Sequence, residues 1–323
     1  MTTSPPSAPD RHPLFRILSL DGGGAKGFYT LGVLSEIEAL AKRPLSQCFD
    51  LIIGTSTGAI IAALLGRGDE VRQVQSLYEE HVPTIMKNQS RRSRTKALHR
   101  LAFAVFRDAN HTAFKTGVEV VATNWKDEQP FIFKNMVNQA YHSKSSFEPF
   151  FGVRIADAVI ASCSAYPFFR RYTVKTSHGS IVELADGGFC ANNPSLYAIA
   201  DATRPLKHSP ANVRLVSIGV GSYPEPPLWK QARRIVRTWS LARYVTSSDF
   251  LQKMLNTNTQ SMQTLTEILF EDLPTIRIND PFREPDMATD LMEHDLNKLN
   301  RLTQKGRISF RKHEQKLKLF LEG

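Results

Sequence analysis

Phe15 to Leu20 (FRILSL) is apolar at four of its six positions and runs straight into glycines. A short, nearly continuous apolar run closed by turn residues reads as a strand buried on both faces. Asp21 to Lys26 then forms a glycine-rich turn, and Leu31, Leu34, Ile37 and Ala41 give Gly27 to Lys42 a helical period. Phe49 to Ile53 reads as a second buried strand and Ala59 to Leu65 as an apolar helix. Asp69 to His81 reads as a further helix, with Asp69 as its N-cap. Strand, helix, strand, helix in this order predicts an α/β fold: a mostly parallel central sheet with helices on both faces.

Farther along, Arg91 to Phe106 is basic at its start and apolar at its end. Val118 to Ala122 and Phe131 to Phe133 read as strands, and Ile155 to Ser164 as a helix stopping near Pro167. Tyr172 to Lys175 and Ile181 to Ala185 suit a hairpin, and Asn193 to Thr203 another helix. Val213 to Gly219 reads as the last core strand; from Trp229 the pattern is mostly helical, with one short apolar stretch at Thr275 to Ile278. The expected organisation is a tail over 1–13, a main domain over 14–221 and a helical C-terminal extension over 222–323 packed on it.

Composition narrows the setting. With 323 residues and 41% hydrophobic content, the chain can build one large core. Its longest apolar run, Leu51 to Gly66, is interrupted by Gly54, Thr55, Ser56, Thr57 and Gly58 and is too short to span a bilayer comfortably. Met1 to His12 lacks the apolar centre of a signal peptide, so a cytoplasmic protein is expected. Cys48, Cys163 and Cys190 form neither a disulfide framework nor a metal-binding pattern.

The net charge is +10, and it is local. Lys87, Arg91, Arg92, Arg94, Lys96, Arg100 and Arg107 fall in a stretch free of acids, as do Lys230, Arg233, Arg234, Arg237 and Arg243. Such blocks point to anionic partners at particular places. A pI of about 9.6 also raises nucleic-acid binding. No helix-turn-helix, zinc or RNA-recognition pattern accompanies the charge, so nucleic acid is not an expected partner.

Gly54-Thr55-Ser56-Thr57-Gly58 fits Gly-x-Ser-x-Gly between an apolar strand and an apolar helix. In that context small flanking residues, Gly54 and Gly58, permit a sharp turn that presents the serine hydroxyl. A serine nucleophile needs a base. His178, His208, His294 and His313 are downstream choices, and none has a supporting local signature. Asp186-Gly187-Gly188, between a strand and a helix, competes better: partial burial raises a carboxyl toward a useful basicity. On its own the tripeptide is more often a plain turn. Asp21-Gly22-Gly23-Gly24-Ala25-Lys26-Gly27 can present successive amides to an anion, with Lys26 adding positive charge. It also fits the dinucleotide pattern Gly-x-Gly-x-x-Gly, but the next strand ends without the acid that reading requires.

In their joint order these three elements resemble the patatin-like phospholipase family, over roughly Leu14 to Gly221. The stretch Ala161 to Phe169 and Asn192-Asn193-Pro194 are similar to the segments flanking that family's aspartate. The resemblance implies a three-layer patatin-like fold and a Ser–Asp dyad with no histidine. Ser56 matches the nucleophile, Asp186 the base, and Gly22, Gly23, Gly24 and Lys26 the oxyanion loop, where Arg is commoner than Lys. It implies hydrolysis of glycerophospholipid acyl esters at a membrane surface, with no cofactor or metal needed.

The layout also resembles a narrower group: bacterial patatin-like effectors of anti-phage signalling, activated by cyclic dinucleotides such as cyclic GMP-AMP. That implies a regulatory role for the extension and leaves a homodimer open. Trp229 to Tyr244 mixes cations with aromatics, making Arg233, Arg234, Arg237 and Trp239 candidate nucleotide contacts; a solvated basic helix is the competing reading. Arg91 to Phe106 suits an anionic membrane surface, a lid or a buried helix. A constitutive lipid hydrolase and an idle scaffold stay open beside the regulated enzyme.

Overall fold

The computed structural model describes residues 14–88, 90–140, 147–224 and 239–322, the side chains of 239–249 excepted. The expected N-terminal tail lies outside the described residues. One eight-stranded sheet runs in the order β5-β6-β3-β2-β1-β7-β8, with β4 on the free edge of β3. The strands are β1 (Phe15–Leu20), β2 (Leu51–Thr55), β3 (Gly117–Asn124), β4 (Gln129–Lys134), β5 (Tyr172–Lys175), β6 (Ile181–Asp186), β7 (Val213–Ile218) and β8 (Thr275–Ile278). The pairs β3–β2, β2–β1, β1–β7 and β7–β8 are parallel; β3–β4, β3–β6 and β5–β6 are antiparallel.

Alternation along β1 divides the core. Leu18 and Leu20 pack on one face, among α1 (Gly27–Ala41), α2 (Thr57–Arg67), α3 (Val71–Lys87) and α4 (Arg91–Phe106). Phe15 and Ile17 pack on the other, against α7 (Ser195–Thr203). A strand covered on both sides must be apolar at odd and even positions alike, which is why β1 reads as a run. The helix α5 (Ile155–Ser162) and the short α6 (Gly188–Ala191) flank the β3–β6 region.

Two expectations change. The stretch from 275 to 278 is β8, paired in parallel with β7, so Val213 to Gly219 is not the last strand of the sheet. Only four residues long, β8 is too brief for its period to register in the sequence. The part after residue 221 is therefore woven into the main domain. The helix α9 (Leu296–Arg311) lies along α1, with Gly306 against the Tyr29 carbonyl and Gly32 against that of Thr303. The helix α8 (Trp239–Leu269) reaches α6 and α7, and α10 (Glu314–Glu322) follows α9. Secondly, Glu70 rather than Asp69 caps α3, in a reciprocal capping box with Gln73; Asp69 pairs instead with Arg67.

The register explains how residues 56 and 186 meet. Along β3, β2 occupies positions 117–121 and β6 occupies 122–124 of the same edge, since β4 takes the other edge at 119–124. Thr55 pairs with Val121 and Asp186 with Ala122. The parallel strand and the antiparallel one thus end head to head, and their C-terminal ends converge on one point.

Candidate active site

Ser56 stands between β2 and α2 with φ 54° and ψ −120°. A non-glycine residue avoids that conformation unless its surroundings impose it. Here the Ser56 N–H donates to Ser162 Oγ at 2.8 Å, and Ser162 Oγ donates to the Val121 carbonyl at 2.5 Å. The Cys163 thiol donates to the Ser56 carbonyl at 3.2 Å. The flanking glycines make the turn fit: a Cβ on Gly54 would lie 2.2 Å from the Gly58 carbonyl oxygen, and one on Gly58 2.3 Å from that of Leu20. Neither neighbour can move, because both are backbone. The elbow leaves α2 starting immediately after Ser56, with the positive end of its dipole at the hydroxyl.

Asp186 is buried and lines the same cavity as Ser56, whose hydroxyl favours the ionised carboxylate. The Gly188 N–H donates to its Oδ1 at 2.7 Å. Burial pushes the carboxyl up to about 6, against the opposing pull of these two donors. Among the described residues no cation pairs with it. Such a carboxyl is ionised near neutrality yet far more basic than an exposed one, which suits it to take a proton from an alcohol. Gly187 lets the chain turn beneath it: a Cβ there would meet the Val121 carbonyl oxygen at 2.1 Å.

The glycine-rich loop behaves differently from expectation at two of its four candidate positions. The Gly22 N–H donates to the Asn192 carbonyl at 2.9 Å, so it is not free to face an oxyanion. The Lys26 side chain is buried and does not line the cavity; burial pulls its ammonium down to about 8 while nearby Asp290 opposes that. Gly23 and Gly24 do line the cavity beside Ser56, and their N–H groups find no partner among the described residues. Gly24 has φ 58°, and its backbone approaches the Leu291 carbonyl so closely that a Cβ would lie 2.5 Å away.

Ser56 and Asp186 open onto a cavity. Its walls are Ile60 and Leu64 of α2, Leu77, Val82, Ile85 and Met86 of α3, and Leu98, Leu101, Val105 and Phe106 of α4, with Phe168 and Phe169 opposite. The lining is almost wholly apolar apart from Ser56, Thr57, Tyr78, Cys163, Asp186 and Asn192. That shape suits a fatty acyl chain leading to a polar reacting end. The apolar end of Arg91–Phe106 is thus cavity wall, while its bases face outward, except Arg94, which is buried and donates to the carbonyls of Asn88 and Phe168. Among the described residues no histidine lines the cavity. His208 stacks on Phe15 at 4.2 Å, and His178 stands by Glu148.

Several contributors were not visible as functional in the sequence. Ser162 orients Ser56, and Tyr78 holds Thr57 through its hydroxyl at 2.8 and 2.9 Å. Asn192 bridges the loops: its Nδ2 donates to the Gly22 carbonyl at 3.2 Å and to Thr259 Oγ1 at 2.7 Å. From α8, Asn258 accepts the Asn192 N–H at 2.8 Å and donates to the Cys190 carbonyl at 3.1 Å. The nearest sequence signal is the Asn192-Asn193 pair; nothing local marks Asn258 or Thr259. Arg233, Arg234 and Arg237 lie outside the described residues, as does the side chain of Trp239. Among the described residues no group of three or more His, Cys, Asp or Glu side chains is gathered as a metal site.

The profile of the family described as patatin-like phospholipase matches residues 18–199, more than half of the chain, including Ser56, Asp186 and the glycine-rich loop. This chain belongs to the patatin-like phospholipase family. It is a serine hydrolase of the phospholipase type. A relative from Escherichia coli, named cUMP-AMP-activated phospholipase, is 55% identical over 95% of this chain and 93% of its own. Another, the cGAMP-activated phospholipase of Vibrio cholerae, is 27% identical over 63% of each chain. Among solved structures, VipD from Legionella pneumophila has a TM-score of 0.49 and 14% identity, covering 96% of this chain and 67% of that one. Patatin-like phospholipases need no cofactor for the hydrolytic step. Among the described residues no helix is long and apolar enough to cross a membrane.

Proposed function

We propose that this patatin-like phospholipase cleaves acyl esters of membrane glycerophospholipids with Ser56 as nucleophile and Asp186 as general base. One observation carries the reading: Ser56 and the buried carboxyl of Asp186 line the same largely apolar cavity, where burial keeps that carboxyl basic. The Ser56 Oγ attacks the ester carbonyl carbon as its proton passes to Asp186. The oxyanion that forms lies against the amides of Gly23 and Gly24, aided by the start of α2. The tetrahedral carbon collapses, the C–O bond to the lipid breaks, and the departing alkoxide takes the proton from Asp186. Asp186 then accepts a proton from water, which attacks the acyl-serine, and a fatty acid leaves.

The enzyme is further proposed to be switched on by a cyclic dinucleotide and to act from the cytoplasm on the inner membrane face, in anti-phage defence. The 55% identical relative is named for cUMP-AMP, and the relatives named for cGAMP are far less similar. This favours a pyrimidine–purine activator over the cyclic GMP-AMP type first expected. The part after residue 221 is the proposed regulatory region. Its helix α8 grips the turn after Asp186 through Asn258 and Thr259, so a shift of that helix bears directly on the base.

Fatty-acid release from mixed phospholipid vesicles, with and without a panel of cyclic dinucleotides and with Ser56→Ala as control, tests both parts. Release that needs Ser56 and rises with cUMP-AMP is expected. Equal release under every condition removes the switch and leaves a constitutive lipase; release by the Ser56→Ala protein removes the mechanism.

A further inference from the structure

The helix α4 has two unlike faces. One side forms the cavity wall through Leu98, Leu101 and Val105. The outer side borders an open cleft lined by Arg92, Lys96, His99, Arg100, Phe103 and Arg170. Its four cations are exposed, no acid lines the cleft, and among the described residues none of the four forms an ion pair. Neighbouring arginines are already engaged: Arg154 pairs with Asp157 at 2.8 Å, and Arg171 with Glu183 at 3.2 Å. The His99 ring is half-buried, edge-on to Tyr172 at 5.1 Å.

An aromatic rim adjoins the cleft through Arg91 and Arg171. Arg91 lies 5.6 Å from the Tyr166 ring, and Arg171 lies 4.9 Å from Trp125 and 5.5 Å from Tyr166. Trp125 in turn meets Phe189 at 5.7 Å, three residues beyond Asp186. Tyr166 is 37% exposed, and Ala165 before it lines the cavity. Amphipathic rings held beside cations suit the headgroup layer of a bilayer. The bases Arg92, Lys96 and Arg100 recur every fourth residue and so form a row about 12 Å long on the helix surface. A row on an open helix edge matches a plane of headgroups better than one enclosed ligand.

We propose that the basic cleft on the outer face of α4, with the Trp125–Tyr166 rim, docks this enzyme on an anionic phospholipid surface. The inference rests on the reading that its substrate is a membrane lipid. It sets the acyl cavity directly behind the helix that touches the bilayer, so a lipid drawn from the surface has a short path to Ser56.

Binding of the Ser56→Ala protein to vesicles tests docking without turnover, so a failure of the hydrolase reading leaves this readout intact. Co-sedimentation with phosphatidylglycerol–phosphatidylcholine vesicles is expected, with little on phosphatidylcholine alone and less at high salt. Arg92→Gln, Lys96→Gln and Arg100→Gln are each expected to lower the partition coefficient about fivefold, and the triple variant about a hundredfold. Thermal melting verifies that each variant is folded, and Lys96→Gln alone suffices for the test. A triple variant that partitions like its parent, or vesicle binding indifferent to anionic lipid, overturns the proposal. So does a triple variant that keeps vesicle binding but loses calorimetric binding of cUMP-AMP, since the cleft is then a nucleotide site.

Discussion

The tripeptide Asp-Gly-Gly occurs after an apolar strand at Asp21–Gly23 and again at Asp186–Gly188. Both aspartates are buried, and burial raises both carboxyls. Asp21 faces Arg277, which donates to both of its oxygens at 2.9 and 2.5 Å and also to Ser217 at 2.8 Å. Among the described residues, Asp186 is opposed only by the Ser56 hydroxyl and one amide. The first carboxylate is spent on holding the glycine loop to β8. The second keeps its basicity, because no described cation neutralises it. Local sequence is the same; the partner supplied by a remote strand decides whether the group is a clamp or is left basic.

The largest expected effect falls on turnover. Ser56→Ala and Asp186→Asn are each expected to lower kcat/KM for phospholipid by about a thousandfold or more, measured as fatty-acid release. Asp186→Asn is expected to melt no lower than the parent. The raised Asp186 carboxyl favours folding below its unfolded value and loses that advantage as pH rises through about 6, so the amide's relative gain appears above pH 6 and fades at lower pH. Matching activity in the Asn variant would erase the distinction between the two aspartates.

Next comes Arg277→Met, which strands Asp21 without its cation. A loss of about 3 kcal/mol in denaturant unfolding is expected, smaller in acid, where Asp21 protonates. Adding Asp21→Asn is expected to recover much of it, because the buried charge disappears. If Arg277→Met proves neutral, Asp21 is not a clamp.

A pH–rate profile comes third. Asp186 must be ionised to receive the serine proton, so kcat/KM is expected to fall about tenfold per unit below its apparent value near 6 and to level off above it. A profile flat from pH 5 to 8 would contradict the assignment of the base. The smallest effect is expected from Asn258→Ala, which removes the α8 contact to Asn192 and Cys190. About 1 kcal/mol of stability and a several-fold drop in kcat are expected, read by melting and by vesicle hydrolysis.

The amino-acid pattern alone was enough for the strands β1, β2, β3 and β7 and for the tight Gly-x-Ser-x-Gly turn. Those features are local: a buried strand is apolar throughout, and a glycine pair flanking a serine leaves room only for a tight turn. Tertiary structure decided the rest. The four residues of β8 acquire their identity only by pairing with β7, and Gly22 loses its amide to a carbonyl 170 residues away. Lys26 is drawn toward Asp290, and α8 reaches back to Asn192. Hydrogen bonds and charge pairs between distant segments have no period and no spacing rule, so they are settled only when the sheet brings its strand ends together.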